Sequence, residues 1–122
     1  MTLDAWHEQL RRGGLDLAIL LSLANGERYG LSLIEYLETF TDLVVTEGTI
    51  YPILGRLTKE GLLEATWVNA EGTHPRKYYR LTASGVRQLE VMKDAWRVFA
   101  QKIDRLMVAS EPIEKGPDRA AF

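Results

Sequence analysis

The chain has 122 residues, of which 46% are hydrophobic and 26% are charged, and its formal net charge is -2 at pH 7. The length suits one domain with a small core, and the composition is that of a folded globular protein rather than a disordered or fibrous one. Because the sequence contains no cysteine, disulfides, thiolate zinc sites and a cysteine nucleophile are excluded.

No apolar run approaches the ~18 residues that a membrane span needs, and the first residues lack a basic region followed by an apolar stretch. We therefore expect a cytoplasmic protein with no membrane association. The pI near 5.7 counts against non-specific binding to nucleic acid. The charge is unevenly distributed, since residues 47–80 hold five basic and four acidic residues, whereas the rest of the chain holds ten and thirteen.

Two helices are predicted at the start of the chain. The first is amphipathic, with Leu3, Trp6 and Leu10 at helical spacing, and the pair Gly13-Gly14 is expected to end it. The second is predicted from Leu15 to Ala24 and is apolar on nearly all sides, as expected of a helix surrounded by others.

Two further helices are predicted in the middle of the chain. The segment from Tyr29 to Phe40 is amphipathic, and the segment from Thr46 to Glu60 follows, with Thr46 as its N-cap. Pro52 is an anomaly inside this last helix, because proline forfeits a backbone hydrogen bond there. The apolar stripe of the Thr46 helix comprises Ile50, Ile53, Leu54 and Leu57.

A hairpin and a long helix complete the prediction. The β-prone runs Leu63–Val68 and Arg76–Leu81 flank a turn-forming stretch, and Thr82 caps a helix from Ala83 to about Met107. We therefore predict a mainly α protein with a small β-hairpin, a winged helix-turn-helix with a long C-terminal dimerisation helix. Its parts are residues 1–82 as the winged helix-turn-helix domain with the wing hairpin at 63–81, residues 83–110 as the dimerisation helix, and residues 111–122 as a flexible tail.

The outer face of the Thr46 helix is unusually flat. Gly48, Pro52, Gly55 and Lys59 lie opposite its apolar stripe, although a merely solvated face would favour better helix formers. A flat face allows the helix to lie deep in a DNA major groove, while the flanking Thr49, Tyr51 and Arg56 reach phosphates or base edges. The alternative is that the two glycines relieve packing against a neighbouring helix.

Two segments resemble a known family. Val45–Leu63 (VTEGTIYPILGRLTKEGLL) closely resembles the recognition-helix signature of PadR-like regulators, and Lys77–Gly85 (KYYRLTASG) resembles their wing and the helix that follows it. With Tyr29-Gly30, the resemblance covers about residues 15–88. It implies a dimeric winged-helix fold, binding to a double-stranded DNA operator, and repression that a small molecule relieves.

The predicted DNA contacts lie on the recognition helix and the wing. Arg76 and Lys77 are nearest the wing tip and are expected to face phosphate, whereas His74 is interpreted as a loop residue. Glu47 is interpreted as an acid favoured by the helix dipole in the first turn. The candidate DNA-binding residues are Tyr29, Thr46, Thr49, Tyr51, Pro52, Arg56, Lys59, Arg76 and Lys77.

The long C-terminal helix carries apolar residues at heptad spacing, which predicts a seam with a second copy of the chain. The predicted dimer interface comprises Leu89, Met92, Trp96, Phe99, Ile103 and Leu106, with Trp6 and Leu10 from the first helix. The alternative is that the stripe folds back on its own core. Trp96 and Phe99 are also candidates for an effector pocket that takes a planar aromatic molecule, unless they only fill the interface.

Sequence support for an enzyme is poor. The only histidines, His7 and His74, lie in unrelated segments without metal-ligand spacing, and no phosphate-binding glycine-rich loop follows a strand. We therefore expect no catalytic residues, no metal and no cofactor. A winged-helix module that binds proteins and not DNA remains an alternative, which the acidic pI favours.

Overall fold

The fold is taken from a computed structural model, which describes residues 1–41, 44–69, 71–72 and 74–113. Of the predicted tail, residues 111–122, only the first three are described, and the rest lies outside the described residues. The elements in chain order are α1 (Leu3–Ser22), β1 (Arg28–Tyr29), α2 (Gly30–Thr41), α3 (Glu47–Lys59), β2 (Leu63–Val68), β3 (Arg76–Leu81) and α4 (Ala83–Ala109). The prediction of a mainly helical winged-helix fold with a small β-hairpin is confirmed.

The N-terminal region forms one helix, so the predicted break at Gly13-Gly14 is wrong. Helix α1 runs without interruption for 20 residues, and the Thr2 hydroxyl caps it by accepting a hydrogen bond from the Ala5 N–H at 3.1 Å. A glycine inside a helix costs only about 1 kcal/mol relative to alanine. The cap at one end and the buried Leu15, Ile19 and Leu20 at the other outweigh that cost.

The core is formed where α1, α2, α3 and the hairpin meet. Helix α3 contributes one completely apolar side, and α4 contributes its first turns. The largest fully buried side chains are Ile19, Leu20, Leu33, Ile50, Leu54 and Leu57. Burial of this side of α3 leaves its opposite side facing outward.

The sheet has three antiparallel strands in the order β1-β3-β2. The β2 and β3 bounds agree with the predicted hairpin, in a register that pairs Leu63 with Leu81 and Val68 with Arg76. Strand β1 was not predicted, and Tyr29 lies in it rather than at the start of a helix. A strand of two residues is too short to show alternation, so its pairing with β3 is set by tertiary contacts.

Helix α4 begins as the sequence predicts. The Thr82 hydroxyl accepts a hydrogen bond from the Gly85 N–H at 3.0 Å and donates one to the Gly61 carbonyl at 2.6 Å. These bonds tie the start of α4 to the end of α3. Gly85 lies against the Leu62 carbonyl, which occupies the place that a side chain would need.

The chain divides into two compact units, residues 1–92 and residues 93–122, and α4 runs from the first into the second. In the first unit, Leu89 is only 4% exposed and belongs to the core of its own chain, and Met92 packs against that core. The prediction that Leu89 faces a partner is therefore corrected, because intrachain packing already buries it. None of the described helices is long and apolar enough to cross a membrane.

Substitution of Gly13 tests whether α1 is continuous. A Cβ at this position meets nothing within 4 Å, so Gly13→Ala should raise the free energy of unfolding by about 0.5–1 kcal/mol. Gly85→Ala is the control and should have the opposite effect. It should lower the free energy of unfolding by about 1–3 kcal/mol, because the new Cβ would overlap the Leu62 carbonyl. Urea unfolding followed by circular dichroism measures both, and destabilisation by Gly13→Ala would contradict a continuous helix.

Candidate nucleic-acid interface

The outer face of α3 is open. Gly48, Pro52, Gly55 and Lys59 are all exposed. A Cβ added at Gly55 meets nothing within 4 Å, and at Gly48 it meets only the Thr46 hydroxyl at 3.9 Å. In the part of the chain that the structure describes, no neighbouring helix therefore requires either glycine, and the alternative that they relieve packing is not supported. The smooth surface faces outward.

The start of α3 presents two hydroxyl groups on this surface. Thr46 is the N-cap as predicted, with an extended backbone, but its side chain makes no capping hydrogen bond. Its Oγ1 instead lies 3.2 Å from Oγ1 of Thr49.

Pro52 lies inside α3 and has no N–H to donate to the Gly48 carbonyl one turn earlier.

One flank of α3 is set by a contact between Tyr51 and Gly30 at the start of α2. A Cβ on Gly30 would lie 2.6 Å from Cε1 and Cζ of the Tyr51 ring, so a side chain at this position would displace the ring. The ring remains partly exposed beyond this contact. Its hydroxyl thus lies where α3 and α2 meet the wing.

A groove of about 590 Å³ separates this flank of α3 from the inner side of the hairpin. Tyr51 lines one side, and Trp67, Arg76 and Lys77 line the other. Tyr79 also lines the groove and is nearly buried. Its burial, and to a smaller extent its interaction with Tyr51, raises the pKa of Tyr79 above the usual value. Tyr79 therefore stays neutral at physiological pH.

Aromatic rings hold the cations of the wing. The Arg76 guanidinium lies 4.4 Å from the ring centre of Tyr29, which in turn meets Tyr78 edge-on at 5.4 Å. The Lys77 ammonium lies 5.8 Å from the ring centre of Trp67. Such contacts orient a cation while it remains exposed.

Trp67 is a surface residue that the sequence reasoning missed. Its side chain is 65% exposed, although it is on the strand face that buries Leu63. This side of β2 extends past the edge of the core at Trp67. The indole therefore lies beside Lys77, the residue that pairs with Trp67 across the hairpin. The alternation of β2 and its register with β3 could have indicated this position.

The other flank of α3 carries Arg56, which is already paired. Its Nη2 donates to both carboxylate oxygens of Asp16 on α1 at 2.8 Å, and its Nη1 donates to Glu60 Oε1 at 3.0 Å. These hydrogen bonds, to Asp16 first and then to Glu60, raise the pKa of Arg56. The geometry does not present Arg56 as a free DNA contact.

The candidate residues thus fall into three groups. Thr46, Thr49, Pro52 and Lys59 lie on or beside the outer face of α3, and Lys59 has no ion-pair partner within the described ranges. Tyr29, Tyr51, Arg76 and Lys77 surround the groove beside the wing. Arg56 faces Asp16 on α1 and lines, with Thr46 and Thr49, a cleft beside the start of α3.

Three helices followed by a hairpin, with the outer face of the third helix open beside that hairpin, define a winged helix-turn-helix protein. The chain belongs to the PadR-like family of transcriptional regulators, whose family model matches residues 19–91. The predicted resemblance is confirmed. This family consists of transcriptional regulators and not of enzymes.

Relatives agree over most of the chain. A PadR family regulator from Eggerthella lenta is 33% identical with a TM-score of 0.78, and the match covers 86% of this chain and 91% of that one. A PadR-like regulator from Bacillus cereus is 35% identical with a TM-score of 0.73, covering 81% and 96%. An uncharacterized protein from Lysinibacillus sphaericus is 30% identical over 102 residues, which is 82% of this chain and 94% of the relative.

The Tyr51–Gly30 contact can be tested without DNA. Gly30→Ala should lower the free energy of unfolding by about 1–3 kcal/mol, because the new Cβ displaces the Tyr51 ring. In a Tyr51→Ala background the same change should cost much less, with a coupling of at least ~1 kcal/mol. Additive losses in urea unfolding of the four proteins would show that the two residues do not constrain each other.

Proposed function

We propose that the chain is a DNA-binding transcriptional regulator that places α3 in the major groove of a double-stranded operator and the wing on the adjoining backbone. The observation that supports this most is the open outer face of α3. Among the described residues, no neighbouring element packs against Gly48 or Gly55, and they share this face with Lys59, which has no ion-pair partner there. A smooth face allows close approach to base edges.

The roles of the candidate residues follow from their positions. Lys59, Arg76 and Lys77 are exposed cations that contact phosphates. The hydroxyls of Thr46, Thr49 and Tyr51 reach phosphate oxygens or base edges, and Pro52 keeps the face smooth. Tyr29 orients Arg76, whose guanidinium lies over its ring. Trp67 offers an apolar surface beside Lys77 that contacts the sugar of the bound strand.

A two-fold operator requires a dimer, and the second unit offers the apolar surface for one. Trp96, Phe99 and Leu106 of α4 are 48%, 59% and 64% exposed, and Ile103 is partly buried. In the first unit, Trp6 and Leu10 on α1 are also exposed. We propose that these side chains form the interface of a homodimer.

We further propose that the dimer represses transcription and that a planar aromatic effector relieves repression. Trp96 and Phe99 are the candidate effector residues, because flat aromatic side chains pack poorly in a helical seam and can leave a gap there. A molecule that binds between two copies would alter the separation of the two recognition helices. That separation determines whether both half-sites can be occupied.

Gel-shift titration on the promoter region of the chain's own gene, at two salt concentrations, tests DNA binding. Lys77→Ala should weaken binding to every sequence and reduce the salt slope by about 0.9 per lost contact, because a phosphate contact carries no base information. Tyr51→Ala is the contrasting variant and should weaken operator binding by about 1–3 kcal/mol.

The outcomes separate the two candidate functions. Absence of binding to any duplex at low salt would favour the protein-interaction module. A loss in Lys77→Ala that is confined to one base position would instead contradict its phosphate role.

Trp96 tests the effector proposal. Trp96→Ala should abolish binding of a planar aromatic ligand, measured by quenching of tryptophan fluorescence in the parent, while sedimentation still shows a dimer. Trp67→Ala is the matched control, because it removes an exposed tryptophan that lies on β2 and outside the candidate effector site. If Trp96→Ala yields monomers and the parent binds no aromatic ligand, the residue serves only the interface.

A further inference from the structure

The environment of Arg56 is unlike that of the other candidate cations. Three hydrogen bonds of 2.8–3.0 Å join its guanidinium to the carboxylates of Asp16 and Glu60. Arg56, Asp16 and Glu60 together carry a charge of -1, and Arg11 and Arg12 of α1 line the same cleft. A phosphate that approached Arg56 would meet two carboxylates, and it would have to displace them.

The position of the cluster also differs. Helix α3 packs chiefly on α2 and β2, whereas Asp16 lies on α1, 40 positions earlier in the chain. The bond from Arg56 to Asp16 therefore joins α3 to a third element. Nη2 of Arg56 reaches both oxygens of Asp16 and Nη1 reaches Glu60, so two nitrogens of the guanidinium are held in different directions.

We infer that Arg56 is a positioning residue, which holds the recognition helix on α1 through Asp16 and does not contact the operator. This inference rests on the proposed function and revises the sequence-based role of Arg56. The two side chains are 47% and 40% exposed, so the pair adds little to global stability. Its effect is to restrict the tilt of α3 in a fold that is otherwise intact.

The test compares Arg56→Gln, Asp16→Asn and the double variant in operator binding over a range of salt concentrations. Each single variant should weaken binding roughly three- to fivefold per subunit, which corresponds to the upper range of an exposed ion pair. The double variant should be no weaker than either single one, and the salt slope should stay unchanged. Arg80→Gln is the matched control, because it removes an arginine of similar exposure that pairs with Glu64 on the wing.

A direct phosphate contact gives the opposite pattern and would overturn the inference. Arg56→Gln would then reduce the salt slope by about 0.9, and Asp16→Asn would leave affinity unchanged or raise it because it frees Arg56. Thermal unfolding checks that all variants remain folded.

A second measurement needs no DNA and separates this inference from the proposed function. Hydrogen exchange of the α3 amides in the free protein should rise in Arg56→Gln and in Asp16→Asn, should rise no further in the double variant than in Arg56→Gln, and should not change in Arg80→Gln. Unchanged exchange in α3 would refute the positioning role even if the parent binds its operator. If exchange rises in the variants as expected but the parent binds no duplex, only the proposed function is rejected.

Discussion

The burial of one side of α3 is the constraint on which the rest of the structure depends. Ile50, Leu54 and Leu57 are at most 2% exposed. These three side chains share one side of the helix, and the residues on the opposite side, Gly48, Pro52, Gly55 and Lys59, are exposed. Two glycines, a proline and a lysine thus form a smooth surface with a single charge.

The orientation of that surface depends on contacts at both flanks of α3. On one flank Tyr51 lies on Gly30, and on the other Arg56 reaches Asp16. The first contact is steric, whereas the second is electrostatic. Strand β1 extends the first flank to the wing, since Tyr29 pairs with β3 and carries Arg76 on its ring. Helix and wing are thereby held by neighbouring residues of one short segment.

The pairing of charges explains how a chain of net charge -2 can present a surface suited to DNA. Glu60 and Glu64 are engaged by Arg56 and Arg80. The remaining cations of this region, Lys59, Arg76 and Lys77, are exposed. With Glu47 and Glu71 included, residues 47–80 carry a net charge of +1 and the rest of the chain carries -3, so the overall pI is a poor guide to this region.

The sequence by itself determined the features that depend on a few neighbouring residues. The period of Ile50, Leu54 and Leu57 and the alternation in β2 and β3 are local patterns, so α3, the hairpin and the flat outer face could be predicted, and two segments sufficed to indicate the family. Only the tertiary structure decided that α1 continues through Gly13, that Leu89 joins its own core, and that Arg56 meets Asp16. Each of these depends on which elements come together, because packing on both sides outweighs a small helix penalty and a guanidinium pairs with whichever carboxylate the fold brings near.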